Sequence, residues 1–94
     1  MDNPLSDKEI ETALAGLPGW ARRGDRLEKT FEFADFRHAF SFMTRAAFAA
    51  EALNHHPDWS NSYNEVAVRL TTHHAGGKIT AKDLELARGL EQAR

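Results

Sequence analysis

The sequence contains no cysteine, which excludes a disulfide framework and thiolate chemistry and makes the cytoplasm the expected compartment. No apolar run approaches the roughly 20 residues that a membrane-spanning helix needs. The acidic opening MDNPLSDKEIE has no apolar signal core, so no secretory leader is expected. An excess of one charge is also missing. Twelve basic and fourteen acidic residues give a formal net charge of −2, without the basic footprint of a nucleic-acid binder. There is no phosphate-cradling glycine loop, no dinucleotide fingerprint and no serine nucleophile in a motif; Gly76-Gly77 reads as a turn. Internal repeats and low-complexity segments are absent. What is present is 94 residues, 41% hydrophobic and 28% charged, the profile of a single globular domain over 1–94. A chain of this size buries only about two-thirds of its unfolded surface, so association would stabilise it.

Ser6-Asp7-Lys8-Glu9 matches a capping box, and Ile10, Leu14 and Leu17 then recur on one helix face before Pro18-Gly19 ends the segment. Gly24-Asp25 is a tight-turn pair that predicts a β-hairpin over roughly 20–33. Leu27, Phe31 and Phe33 share one face of it, interrupted by Lys29. Asp35 can cap a helix from Phe36 to about Leu53. Its expected buried stripe is Phe36, Phe40, Met43, Ala47 and Ala50, widened by Phe42, Ala46, Ala49 and Leu53. The many alanines at its far end should let a sheet or a second helix come close. Pro57 disfavours helical geometry at His56 and is read as the device that stops the helix. Val66, Val68 and Leu70 alternate with Glu65, Ala67 and Arg69, the clearest strand in the chain. Thr80 to Asp83 is a second capping box, opening a last helix with Leu84, Ala87 and Leu90 or Glu91 on one side. The order α-β-β-α-β-α predicts an α+β fold, an antiparallel sheet with helices on one face.

The chemistry concentrates in the histidines. His38 lies on a helix flank, where a partly buried hydrogen-bonding role is expected. His55-His56 and His73-His74 instead sit at the ends of elements, where a rigid support carries reactive groups. Adjacent residues on an extended segment point to opposite faces, so each pair offers one group to a given site. A metal site could draw on one histidine of each pair with Glu51 or Asp83, but none of the compact zinc-ligand spacings is present. Acid–base chemistry without metal fits better, because histidine, with an ordinary pKa of about 6.5, both gives and takes protons near neutrality. Glu51 falls eleven positions after Phe40, within about 20° of its direction. It therefore extends the apolar stripe toward His55, or snorkels into water. Asp83 already has a structural task in its capping box. Trp20 and Trp59 read as core residues or as walls for a flat ligand.

Glu51, His55-His56-Pro57, Trp59, Tyr63, Thr72-His73 and Asp83 resemble the pattern of the pterin-4a-carbinolamine dehydratase family, and the similarity runs from the Trp20 region to the last helix. The resemblance implies a four-stranded antiparallel sheet with three helices on one face, assembled as a homodimer or homotetramer; the fourth strand would be the short piece around Trp59. It implies dehydration of 4a-hydroxytetrahydropterin to the quinonoid dihydropterin, with no metal and no cofactor, coupled to aromatic amino-acid hydroxylases. By the same resemblance His55, His56 and His73 match the active-site histidines. Glu51 and Asp83 match the supporting acids, and Pro57 and Trp59 would shape the pterin pocket; Trp20 is a further candidate wall from its own position. Within this set His55 and His73 are expected to form the main proton-transfer pair, with His56 binding the pterin or assisting. Asn54 stands where an aspartate often precedes the pair, and the loop over 74–80 is one residue longer than the common spacing. The alternative is a non-catalytic dimerisation or assembly protein, or a transcriptional co-regulator, of the same fold.

Overall fold

The computed structural model describes residues 2–94. The first helix, α1 (Asp7–Leu14), starts at the expected capping box: Glu9 N–H donates to Ser6 Oγ, and Ser6 N–H donates back to the Glu9 carboxylate at 2.8 Å. Ile10 and Leu17 are buried and Leu14 half-buried, which seats this helix on the core. The hairpin follows as β1 (Ala21–Arg23) and β2 (Arg26–Glu32), turning at Gly24-Asp25. Lys29 lies on the same face as buried Leu27 and Phe31 without breaking it. Its ammonium bonds Glu91 and the Pro18 carbonyl and sits 4.7 Å from the centre of the Phe31 ring. A long side chain thus crosses apolar surface and meets its charge partner at the rim.

Helix α2 (Phe36–Leu53) is capped by Asp35, whose side chain accepts from His38 N–H at 2.9 Å. The core is faced by the flank of the expected stripe and not by its centre. Ala39, Phe42, Ala46 and Ala50 are buried, whereas Phe36 and Phe40 are 48% and 57% exposed and Phe48 is 73% exposed. The helix carries apolar residues on two adjoining stripes, about 100° apart. Phe42 decides between them by packing its ring 4.7 Å from Phe31 and 5.0 Å from Phe33, a contact that no other phenylalanine of the helix makes. Ala50 belongs to the centre of the expected stripe and Phe42 and Ala46 to its widened flank, so the core lies to one side of the line expected.

Strands β3 (Asp58–Ser62) and β4 (Glu65–Leu70) form a second hairpin, and the sheet order is β1-β2-β4-β3, antiparallel throughout. The short piece around Trp59 is therefore the fourth strand. Val66, Val68 and Leu70 face the core from the central strand β4. A single 3₁₀ turn (His73–Ala75) leads to α3 (Ala81–Ala93), which buries Leu84, Leu86, Ala87 and Leu90. Glu91 turns aside to accept from Trp20 Nε1 at 2.9 Å. Helices α2 and α3 pack closely: a Cβ placed on Gly89 would lie 3.6 Å from Ala49 Cβ, so the small residues let the two backbones approach. Among the described residues, no helix is long and apolar enough to cross a membrane.

Candidate active site

The site is built on the end of α2. Asn54 adopts the left-handed conformation (φ 50°) and its N–H returns to the Glu51 carbonyl, while His55 N–H reaches the Ala50 carbonyl, both at 3.1 Å. These two bonds close the helix as a Schellman motif. The stop therefore lies at Asn54, three residues before Pro57. Asparagine tolerates the left-handed region because its side chain is short and polar, whereas Pro57 acts downstream, keeping the chain extended into β3. Directly after this turn the two histidines diverge. His55 is buried, 7% exposed, and His56 is exposed.

His55 points inward to Asp83, with Nε2 2.6 Å from Oδ1. Asp83 is fully buried, and its other oxygen, Oδ2, accepts from Thr80 N–H at 2.9 Å and Thr72 Oγ1 at 2.8 Å. Thr72 Oγ1 is in turn 2.7 Å from Thr80 Oγ1. The capping box and the histidine contact, read from the sequence as competing tasks for Asp83, are both performed, one by each carboxylate oxygen. The longer loop does not disturb this. Thr72 N–H bonds the Lys78 carbonyl at 2.9 Å, and Gly77 N–H bonds the Thr72 carbonyl. Gly76 and Gly77 both take positive φ, a conformation that glycine adopts without steric cost. These bonds close the loop at its base.

His56 points the other way, its Nε2 2.7 Å from Glu51 Oε1. Glu51, His56, Pro57 and Trp59 line a cavity of about 390 Å³ with Ala47, Ala50 and Phe48. Four of the expected site residues thus meet in one concave, largely apolar place. His55 and Asp83 lie on the inner side of the same helix end. His73, in the 3₁₀ turn, is exposed and its side chain has no hydrogen-bond partner among the described residues; it is joined to the buried network through its neighbour Thr72. Trp20 is not brought here: it is buried against Phe31, rings 5.9 Å apart, and bonds Glu91. Thr72, Thr80 and Phe48 belong to the site's surroundings without having been assigned a part in it. Thr80 carried a signal as a helix cap and Thr72 as part of the family pattern, though without a role; Phe48 carried none. Among the described residues no group of three or more histidine, aspartate or glutamate side chains converges as a metal site.

Comparison with known proteins points to one family. Residues 3–93 match the family model described as pterin 4 alpha carbinolamine dehydratase. A protein of Opitutus terrae, named a candidate pterin-4-alpha-carbinolamine dehydratase, is 59% identical over 98% of this chain and 95% of its own. One of the same name from Solibacter usitatus is 52% identical over 97% and 95%. The crystal structure of a Brucella melitensis protein described as a transcriptional coactivator/pterin dehydratase superposes with a TM-score of 0.92 at 40% identity, covering 97% of this chain and 98% of that one. With nearly the whole chain matched in sequence and in fold, this protein belongs to the pterin 4 alpha carbinolamine dehydratase family.

Proposed function

We propose that the protein dehydrates 4a-hydroxytetrahydropterin to the quinonoid dihydropterin, returning the pterin of aromatic amino-acid hydroxylases to its reduction cycle. The observation that carries this reading is the helix end at which two histidines are each tied through Nε2 to their own carboxylate, His56 lining a largely apolar cavity and His55 lying on the inner side. In the reaction the C4a–O bond breaks, the N5–H electron pair becomes the C4a=N5 bond, and hydroxide leaves as water after taking a proton. One group must protonate the leaving oxygen and another accept the N5 proton; each positioned group contributes roughly 10²–10⁴-fold. His55 and His73 serve as this pair, His56 holds the pterin, Glu51 orients His56, and Trp59 with Pro57 forms the wall for the flat ring. A cavity of about 390 Å³ is within the usual range for a small-molecule site. A stopped-flow assay of carbinolamine decay, run against pH, tests the reading. Turnover should depend on groups titrating near neutrality; decay no faster than in buffer alone would overturn it.

The same proposal includes self-association as a homodimer or homotetramer in the cytoplasm. It is supported by the apolar stripe of α2, where Phe36, Phe40 and Phe48 stand exposed, and by the outer edge of β3, which no strand covers among the described residues. Sedimentation at micromolar concentration is the check, and a monomer there counts against it. The exposed stripe also favours a second reading, in which the fold serves as an assembly or co-regulator module like the coactivator part of the Brucella protein's description. Self-association with no carbinolamine turnover would select that reading.

A further inference from the structure

We infer that Thr72 and Thr80 are positioning residues that hold His55 as the Nε2–H tautomer and leave Nδ1 as its proton-transferring atom. The inference rests on His55 acting in the proposed dehydration. The hydrogens of the buried cluster can be assigned one by one. Asp83 Oδ2 can only accept, so Thr72 spends its single hydrogen there, beside the bond from Thr80 N–H. The hydrogen between the two threonines must then come from Thr80 Oγ1, which itself accepts from Lys82 N–H. That leaves Oδ1 facing His55 Nε2. The two hydrogen bonds donated to Oδ2 stabilise the carboxylate as an acceptor, so Oδ1 accepts from the ring and Nε2 is the donor. Neutral imidazole carries one N–H, and Nδ1 therefore holds the lone pair. No protein group bonds Nδ1, and no buried side-chain polar atom lacks a partner among the described residues. Nδ1 is thus the ring nitrogen that solvent, or a substrate, can reach.

Thr72 has a second part in the arrangement, because it directly precedes His73. The residue that fixes the carboxylate behind one histidine also begins the turn that carries the other. Removing its hydroxyl leaves one acceptor position of a buried carboxylate unmet and frees the carboxylate to rotate, so the direction of the His55 bond is no longer set.

The test is ¹⁵N NMR of the full chain labelled at histidine, with His55 signals assigned by their loss in His55→Gln, beside stopped-flow kinetics. Wild-type His55 should show a protonated Nε2 and an unprotonated Nδ1. Thr72→Val should give mixed tautomers and a kcat lowered about tenfold with KM unchanged, and Thr72→Ser should restore both. A wild-type His55 protonated at Nδ1 overturns the inference whether or not Thr72→Val folds. So does a folded Thr72→Val variant with wild-type spectrum and kcat. The expected wild-type tautomer in a protein without dehydratase activity would support the positioning role and remove the catalytic reading instead.

Discussion

His55 Nε2 and Asp83 Oδ1 lie 2.6 Å apart in the protein interior, joining the end of α2 to the first turn of α3 across 28 positions of sequence. Asp83→Asn keeps the shape but turns an amide donor or a weaker acceptor toward the ring. If the amide nitrogen faces Nε2, the histidine must move its proton to Nδ1. The expected result is a folded protein with kcat for carbinolamine dehydration reduced on the order of 10²–10⁴-fold. Asp83→Ala should also be destabilised by about 3 kcal/mol, because Thr72, Thr80 and His55 lose their common acceptor. Denaturant titration and single-turnover kinetics separate the two effects; an Asp83→Asn enzyme with unaltered kcat would exclude a role for the pair in turnover.

Asn54 should accept glycine or aspartate with less than about 0.5 kcal/mol lost, since both enter the left-handed region readily. Asn54→Val should cost about 1–2 kcal/mol and lower activity as well, by disturbing the turn that separates His55 from His56. Chemical denaturation of the three variants makes the comparison. Equal stability for valine and glycine would refute the turn as the element that directs the pair.

The phenylalanines of α2 divide by exposure. Phe42→Ala should cost about 3–5 kcal/mol, because the ring is fully buried against Phe31 and Phe33. Phe40→Ser and Phe48→Ser should change unfolding of a single chain by no more than about 0.5 kcal/mol, while shifting sedimentation toward smaller species. A wild-type sedimentation profile in the double variant would place the self-association surface elsewhere.

Acid should weaken the fold through three exposed carboxylates. Backbone and side-chain hydrogen bonds from Ser6 hold the Glu9 carboxyl below its ordinary range, those from His38 hold Asp35 down, and the His74 side chain does the same for Asp2. Each is depressed in the folded chain, so its stabilisation is complete above the ordinary carboxylate values of about 3.9–4.3 and is lost as pH falls through the lower folded values. Thermal midpoints should drop on acidification below about pH 4.5. A variant with Glu9→Gln, Asp35→Asn and Asp2→Asn should lose less across that interval, and an identical slope would contradict these assignments.

Caps and alternation were legible in the sequence because they are local. Ser6/Glu9, Asp35 and Thr80/Asp83 all cap where expected, and the Val66-Val68-Leu70 face is buried as written. The facing of α2 was not legible, since two apolar stripes satisfy the same period and only the Phe31 and Phe33 rings, brought from β2 and its end, choose Phe42. Strand β3 was weakly marked because Asp58, Ser60 and Ser62 point to solvent and only Trp59 is apolar. At the site, the partners Glu51–His56 are five residues apart and lay within reach of sequence reasoning. The link from Thr72 through Asp83 to His55 spans three elements; the family pattern marks Thr72-His73, but only the fold shows that Thr72 bonds the acid.

The bridge between Thr72 and Lys78 separates a length change from the chemistry. Residues 73–77 form a loop whose two ends are bonded to each other, so additions or deletions among them alter the excursion and leave Asp83 where it is. The acid is therefore placed by the capping box that Thr80 opens and not by the path the chain takes from His73 to Gly77.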